Sequence, residues 1–408
     1  MGALPFLASP AFVIGYKGSM AVTIIADDLT GACDAGALFG GRGPVGVFVA
    51  PELPDNRWPA AAVDCESRAL PPADAAARVR RAAGGLEARL TGGRIFKKID
   101  STFRGPVAAE LDALLDAAGA TIALVCPAFP AQGRTVRDGV LAVHGVPAHE
   151  SFAGSDPDYP GASSDLVEIL SRRSNRPVSL LPLKEVRGSF EDLARALAAR
   201  HGVVVADAEL DRDLDALTLA TARREGLLLA GSAGLARAAA GTWDYAAPAS
   251  ALPAPGAWLI VAGSRHPVTR AQLSTLEAAG AAGARVGGTG NPDLEKVVSA
   301  ILAGRPAFVA SDDAAEGTRE DVATRLAVAM KRVLAKASPA LVLLTGGETA
   351  LAVVRALGAR RLELDGAPAS GLAHGRLVID DTSSLPVLTK AGGFGPPELF
   401  VALTSGAA

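Results

Sequence analysis

At 408 residues the chain is too long for one ordinary core, so two domains are expected. Its net charge of −3, without a long Lys/Arg tract, argues against nucleic-acid binding. Hydrophobic residues make up 49%, yet no apolar run approaches the ~20 residues of a membrane span.

A soluble, cytoplasmic protein without a membrane partner is therefore expected. Cys33, Cys65 and Cys126 lie far apart and form no Cys-x-x-Cys pair, which suits small core residues in a reducing compartment. Residues 1–20 carry no Lys or Arg before the mildly apolar Leu4–Tyr16 and no Ala-x-Ala site, so they fit a signal peptide poorly. Gly18-Ser19-Met20 reads as a cloning junction or an upstream start, and the segment is set outside the fold as a leader or cloning-derived extension.

The first strand is Val22-Thr23-Ile24-Ile25-Ala26, a β-branched run of the kind buried in parallel sheets. It runs into Asp27-Asp28-Leu29-Thr30-Gly31, where Thr30 can cap a helix and Gly31 allows close backbone approach. In open α/β sheets ligands sit beyond the carboxyl ends of the strands, so Asp27 and Asp28 fall where chemistry is done. Two adjacent like charges there call for a cation or a proton donor. In the alternative reading Asp28 only caps the helix and Asp27 is solvated.

Strands are then expected at Val45–Val49, Ala60–Asp64, Ile95–Ile99 and Thr121–Val125, with helices at Ala73–Ala83 and Val107–Ala118. Residues 127–165, rich in Gly and Pro, break the rhythm and read as a long functional loop or lid. Strands Val178–Leu181, Val203–Ala206 and Leu227–Ala230 follow, with helices Phe190–Arg200 and Leu214–Glu225. Gly241–Gly256, with three prolines and no period, is the linker. The domains are accordingly 21–240 and 258–408, joined by 241–257. The second has strands Trp258–Val261, Ala307–Ala310 and Leu341–Leu344, helices Val268–Ala279, Arg319–Lys336 and Ala350–Leu357, and a β-rich end (Leu362–Leu364, Leu377–Ile379, Pro386–Leu388) closed by helix Glu398–Thr404. The fold class is two α/β domains with largely parallel sheets.

Polar groups crowd three strand ends of the first domain. Lys97-Lys98-Ile99-Asp100-Ser101-Thr102-Phe103-Arg104 puts Lys98 and Asp100 on one face and Lys97 on the other. Ser101 and Arg104 supply donors for a hydroxylated anion, Arg68 in Glu66-Ser67-Arg68 can grip a carboxylate, and Arg134 adds a cation in the irregular stretch. The second domain has three Gly-rich turns: Gly263-Ser264-Arg265-His266, Thr345-Gly346-Gly347-Glu348-Thr349, and Lys390-Ala391-Gly392-Gly393-Phe394-Gly395. Such turns after strands expose N–H groups that cradle phosphate. None is a Walker motif, and no Gly-x-Gly-x-x-Gly follows the first strand, which counts against a nicotinamide dehydrogenase. Ser232 in Gly231-Ser232-Ala233-Gly234 resembles a hydrolase elbow one residue short, and N-capping is the preferred reading.

These blocks, with Ala26 to Asp34 and Cys126-Pro127-Ala128-Phe129-Pro130 ahead of Gly133-Arg134, resemble the four-carbon acid sugar kinases, the D-threonate, D-erythronate and 3-oxo-tetronate kinases. The resemblance runs in order from about Val22 to Phe400. It implies an N-terminal acid-sugar domain, a C-terminal ATP domain of unusual fold, and transfer of the γ-phosphoryl of Mg²⁺-bound ATP to the terminal hydroxyl of the acid. Arg68 with Lys98 would hold the carboxylate, with Asp27, Ser101, Arg104 and Arg134 also on the substrate. Ser264, Gly346, Gly347, Glu348, Thr349, Gly392 and Gly393 would hold the nucleotide, and no metal would be ligated directly by protein. Asp28 and Asp100 are the candidate bases, Asp28 preferred. Pro106 departs from the Asn common after Gly105, which leaves the particular acid open. A non-catalytic sugar-acid and nucleotide sensor is the other reading, and a homodimer stays open as an assembly.

Overall fold

The computed structural model describes residues 20–91, 93–222, 224–248, 250–287, 292–312 and 315–406. The expected leader, but for Met20, lies outside them. They form two compact α/β units that divide between Ala247 and Pro248. Among the described residues no helix is long and apolar enough to cross a membrane.

In the first unit the apolar runs become β1 (Val22–Ala26), β2 (Val45–Val49), β3 (Ala60–Asp64), β4 (Arg94–Lys98) and β5 (Ile122–Cys126). After them come β6 (Arg134–Arg137), β7 (Val140–Val143), β8 (Val146–Pro147), β9 (Val178–Leu181), β10 (Gly202–Ala206) and β11 (Leu227–Gly231). The main strands lie in the order β2-β3-β1-β4-β11-β5-β10-β9, every neighbouring pair parallel. The chain runs from β1 to β2 and β3 on one side of β1 and then crosses to β4 on the other, so β1 marks a topological switch point. Ala26 is in register with Asp64 and Lys98, and Lys98 with Gly231, so the segments after these four residues leave the sheet along one edge.

The second unit contains β12 (Trp258–Ala262), β13 (Ala282–Val286), β14 (Ala307–Ser311), β15 (Leu341–Thr345), β16 (Arg361–Gly366), β17 (Leu372–Val378) and β18 (Ser384–Lys390). Its order is β13-β14-β12-β15-β18-β17-β16, parallel up to β18 and antiparallel beyond. Trp258, Ile260, Phe308, Leu343 and Leu388 form a core with Leu273, Leu276, Phe400 and Leu403.

Three differences from the sequence reading have physical causes. The stretch 127–165 is not one irregular loop, because β6, β7 and β8 form a small antiparallel sheet within it. Its two tight turns, Asp138-Gly139 and His144-Gly145, have positive φ at both positions, as two-residue hairpin turns require. Strand β13 and the helix Glu295–Leu302 were not anticipated. A glycine and an arginine weaken the β13 pattern, yet Gly283 is needed there, since a Cβ would lie 1.9 Å from the Phe308 ring. The β-rich end is also more extended than read, β18 running seven residues from Ser384 to Lys390.

Lys97 is fully buried, and its ammonium meets Glu110 of the helix Val107–Ala118 at 2.9 Å. Removing one member of a buried pair leaves an uncompensated charge. Glu110→Leu is expected to cost about 3–5 kcal/mol in urea denaturation, and adding Lys97→Met to recover most of that loss. Equal costs for the single and the double variant would contradict the pairing.

Candidate active site

The chain leaves β1 through Asp27 and Asp28. The cap of the helix Leu29–Gly36 is Asp28, not Thr30. Asp28 Oδ1 accepts from the Gly31 N–H at 2.9 Å, and Oδ2 from the Thr30 hydroxyl at 2.7 Å. Thr30 already lies inside the first turn, where its side chain serves the cap instead of being it. Asp27 is 2% exposed rather than solvated. Arg68 clamps it, with Nε 2.7 Å from Oδ2 and Nη2 2.9 Å from Oδ1, and the same Nη2 reaches Asp28 Oδ1 at 2.7 Å. Burial pushes the Asp27 carboxyl up, but Arg68 and then Lys97 and Lys98 outweigh it and hold it below the ordinary value.

The backbone after β3 makes this clamp reachable. Glu66 takes a positive φ of 50° and donates its N–H to Asp64 Oδ1 at 2.8 Å. The turn lets Ser67 and Arg68 donate their N–H groups to the Asp27 carbonyl at 3.0 and 3.2 Å. Gly105, at φ 91°, packs on the arginine; a Cβ there would lie 3.2 Å from the Arg68 carbonyl oxygen. No cation of the described residues lies within 4.0 Å of the Asp64 carboxylate. Burial pushes its carboxyl well above the usual range, opposed by the Glu66 N–H and reinforced by Asp28, Glu66 and Asp27.

A second clamp follows β4. Asp100 accepts from Arg104 Nε and Nη2, each at 2.9 Å, from the Thr102 N–H at 3.1 Å and from the Thr102 hydroxyl. Burial opposes these donors, yet Arg104 holds Asp100 well below the carboxylate range. Arg104 Nη1 also donates to Asp156 at 2.9 Å. Lys98 differs from both arginines. It is 5% exposed and donates to the Ile99 carbonyl at 3.0 Å; no carboxylate of the described residues lies within 4.0 Å of its ammonium. It runs beside Gly31, where a Cβ would come 3.2 Å from Nζ. Ser101 is half-buried on the same turn, and Arg134 is buried with Nη1 on the Gln132 carbonyl.

Asp27, Asp28, Arg68, Asp100 and Arg104 thus form two carboxylate–arginine clamps at one sheet edge, with Lys98 beside Gly31. The sequence reading did not anticipate Asp64, Glu110, Asp156 or the fit of Gly105. Asp156 was visible only as part of a turn-rich stretch. Ser232 caps the helix Ala233–Thr242: its hydroxyl accepts from the Gly234 N–H at 3.1 Å and donates to the Ala128 carbonyl at 2.7 Å. Tied at both ends and fully buried, it is no nucleophile.

In the second unit the adjacent parallel strands β12, β15 and β18 end in register at Ala262, Thr345 and Lys390, which gathers the Gly-rich turns. A Cβ on Gly346 would lie 3.2 Å from the Ser264 nitrogen, one on Gly392 2.3 Å from Ser264 Oγ, and one on Gly393 3.0 Å from His266 Nε2. One of the three turns leads directly into a helix without a side-chain cap. Gly346, at φ 102°, leads into Gly347–Leu357 with no side-chain cap, the kind of helix start that can receive an anion. The helix Pro267–Ala278 is capped by His266 Nδ1 on the Val268 N–H, and the third turn reaches its helix only at Leu399. Thr349 is buried, and the Glu348 carboxylate pairs with Arg319 at 3.8 Å. Among the described residues no group of three or more His, Cys, Asp or Glu side chains is arranged to hold a metal.

A family model described as a sugar-binding N-terminal domain matches residues 22–239, and one described as a nucleotide-binding C-terminal domain matches residues 259–400. The chain is 33% identical to the D-threonate kinase of Salmonella typhimurium, over 92% of this chain and 96% of that one. It belongs to the four-carbon acid sugar kinase family. The 3-oxo-tetronate kinase of Methylobacterium radiotolerans is also 33% identical, over 95% of this chain and 96% of its own length. A crystal structure of another Salmonella typhimurium protein superimposes with a TM-score of 0.75 at 21% identity, covering 94% of this chain and 98% of that one, and supports the fold alone. This chain is therefore a kinase, and neither the hydrolase nor the non-catalytic reading is kept.

Asp64 gives the kinase a pH signature. A carboxyl whose folded pKa lies above its unfolded value of 3.8 binds its proton more tightly when folded. Its stabilising contribution is full below the unfolded value and is lost as pH rises toward the folded one. Asp64→Asn keeps an acceptor for the Glu66 N–H and removes the titration. Its melting temperature is expected to gain on the wild type progressively as pH rises above about 4. A constant offset across thermal melts in that range would contradict this.

Proposed function

We propose that this kinase uses ATP to phosphorylate the terminal (4-) hydroxyl of a four-carbon sugar acid such as D-threonate or D-erythronate. The observation that carries the reading is the edge of the first unit, where two arginines fix carboxylates and Lys98 has none. A substrate carboxylate fits the Lys98 ammonium as a point charge. Arg68, read from sequence as the carboxylate grip, already has its bidentate edge on Asp27, which leaves Nη1 as its contribution to a ligand. Relatives named D-threonate kinase are 33 to 37% identical to this chain and those named 3-oxo-tetronate kinase 28 to 33%, ranges that meet and do not by themselves choose the acid.

Phosphoryl transfer is mostly positioning and charge neutralisation, helped by a carboxylate that accepts the hydroxyl proton. Asp28 suits that role better than Asp100. Asp100 is held as a very weak base by Arg104, which grips both its oxygens. Arg68 and the Gly31 N–H take Asp28 Oδ1, whereas Oδ2 accepts, among the described residues, only from the Thr30 hydroxyl. In this reading Asp27 orients Arg68, and Ser101, Arg104 and Arg134 line the hydroxyl-binding side. The uncapped N–H groups following Gly346, with Thr349, Ser264, Gly392 and Gly393, bind the phosphates. Mg²⁺ carried on those phosphates supplies charge neutralisation when bound.

ADP release should be seen with at least one acid of a panel comprising threonate, erythronate, 3-oxo-tetronate and 4-hydroxythreonine, and not with erythritol or threitol. No turnover with any acid would sink the proposal, and equal turnover of the neutral polyols would remove the carboxylate site. Lys98→Met is expected to raise KM for the acid by about tenfold or more, the loss of a charged hydrogen bond, with little change in KM for ATP.

Asp28→Asn keeps the helix cap but cannot take the proton. It is expected to bind both substrates near normally while kcat falls by about 10²-fold or more. Full activity in Asp28→Asn beside an inactive Asp100→Asn would transfer the role to Asp100.

A further inference from the structure

Lys390, the last residue of β18, is 0% exposed, and no carboxylate of the described residues lies within 4.0 Å of its ammonium. The ammonium donates to the Ala391 carbonyl at 2.9 Å and the Gly392 carbonyl at 3.1 Å, and stands 5.8 Å from the centre of the Phe400 ring. Two side chains of the helix Pro267–Ala278 take hold of the same loop. The Thr269 hydroxyl donates to the Gly392 carbonyl at 2.7 Å, and Gln272 Nε2 to the carbonyls of Phe394 and Pro396 at 2.9 and 3.0 Å.

All these donors reach backbone carbonyls. In a trans peptide the carbonyl of one residue and the N–H of the next point in opposite directions. Drawing the Ala391 and Gly392 carbonyls inward therefore turns the N–H groups of Gly392 and Gly393 outward. Neither of those N–H groups donates to another described residue. We propose that Lys390 is a positioning residue for the nucleotide, holding the loop so that these two N–H groups face a phosphate. The inference rests on the nucleotide reading of this unit.

Stability does not account for Lys390. Burial alone pulls its ammonium down to about 7 from 10.5, so between those values the unfolded chain binds more protons and the charge opposes folding. The charged or titratable side chains on the elements packed around it are His266, Arg270 and Glu277 on and ahead of the helix Pro267–Ala278, Glu398 ahead of Leu399–Ser405, and His374 and Arg376 on β17. None of these shifts it. Lys390→Met leaves no carbonyl stranded, since Ala391 keeps the Phe394 N–H at 3.2 Å and Gly392 keeps Thr269.

The experiment measures melting temperature, ATP affinity by calorimetry and steady-state kinetics for wild type, Lys390→Met and Thr269→Val. Lys390→Met should melt at or above the wild-type temperature and bind ATP about tenfold more weakly, with kcat at saturating ATP and KM for the acid nearly unchanged. Wild-type affinity should fall as pH rises through about 7, and the Met variant should lose that dependence. Thr269→Val should weaken ATP in the same direction by a smaller factor. Unchanged ATP affinity in both variants, or a Lys390→Met protein that is destabilised and loses both substrates equally, overturns the proposal. A wild type that binds no nucleotide would instead overturn the reading of the unit on which it rests.

Discussion

The edge of the first unit depends on one guanidinium. Asp27 and Asp28 are consecutive carboxylates at the buried end of a strand, an arrangement that repels itself unless a cation is fixed beside it. Arg68 meets both with three donors, and the chain is shaped to bring it there. Glu66 adopts left-handed backbone, the Asp27 carbonyl accepts two N–H groups from the turn, and Gly105 keeps room for the arginine. The ends of β1 and β3 are therefore tied to a single ion cluster, on which the segment after β4 packs through Gly105. Its carboxylates are fixed before any ligand arrives, which is what electrostatic preorganisation requires.

The same logic explains why neighbouring lysines do different work. Strand alternation sends Lys97 into the protein, where Glu110 neutralises it, and leaves Lys98 at the edge without a carboxylate. Arg104 repeats the Arg68 pattern on Asp100 and Asp156. Arginine suits such internal clamps, because its planar fork satisfies a carboxylate on two sides. Lysine suits the position left for a substrate, as a compact charge on a flexible stem.

Much of this was legible in the chain. Buried parallel strands read as apolar runs, so the order of elements, the strand ends and the polar segments following them could be located. What could not be read was which partner each charge takes. Arg68 in isolation is equally a substrate grip and an internal clamp, and only the fold brings Asp27, 41 residues away, into its bidentate edge. Local competition hid the cap as well. Thr30 is a good capping residue, but Asp28 is placed two residues earlier with both oxygens in reach. Gly283 read as a break in β13, when its missing side chain is what admits the Phe308 ring. The glycines of the small hairpins read as loop, when their positive φ is what makes the turns tight.

In the proposed reading the two units meet anions by opposite means. The first arranges side-chain charges, which distinguish a carboxylate from a hydroxyl and cost heavy burial of ions. The second relies on backbone N–H groups at the uncapped start of Gly347–Leu357 and on close-packed glycine turns, which suit the spread charge of a phosphate. A backbone cradle has no charge to direct it and must be held in shape from behind. Lys390, Thr269 and Gln272 supply that hold through carbonyls. In the proposed reading each unit keeps one buried lysine end for its ligand, outward at Lys98 and inward at Lys390. Neither ammonium has a carboxylate of the described residues within 4.0 Å, which separates these lysines from Lys97, whose charge is matched within the core.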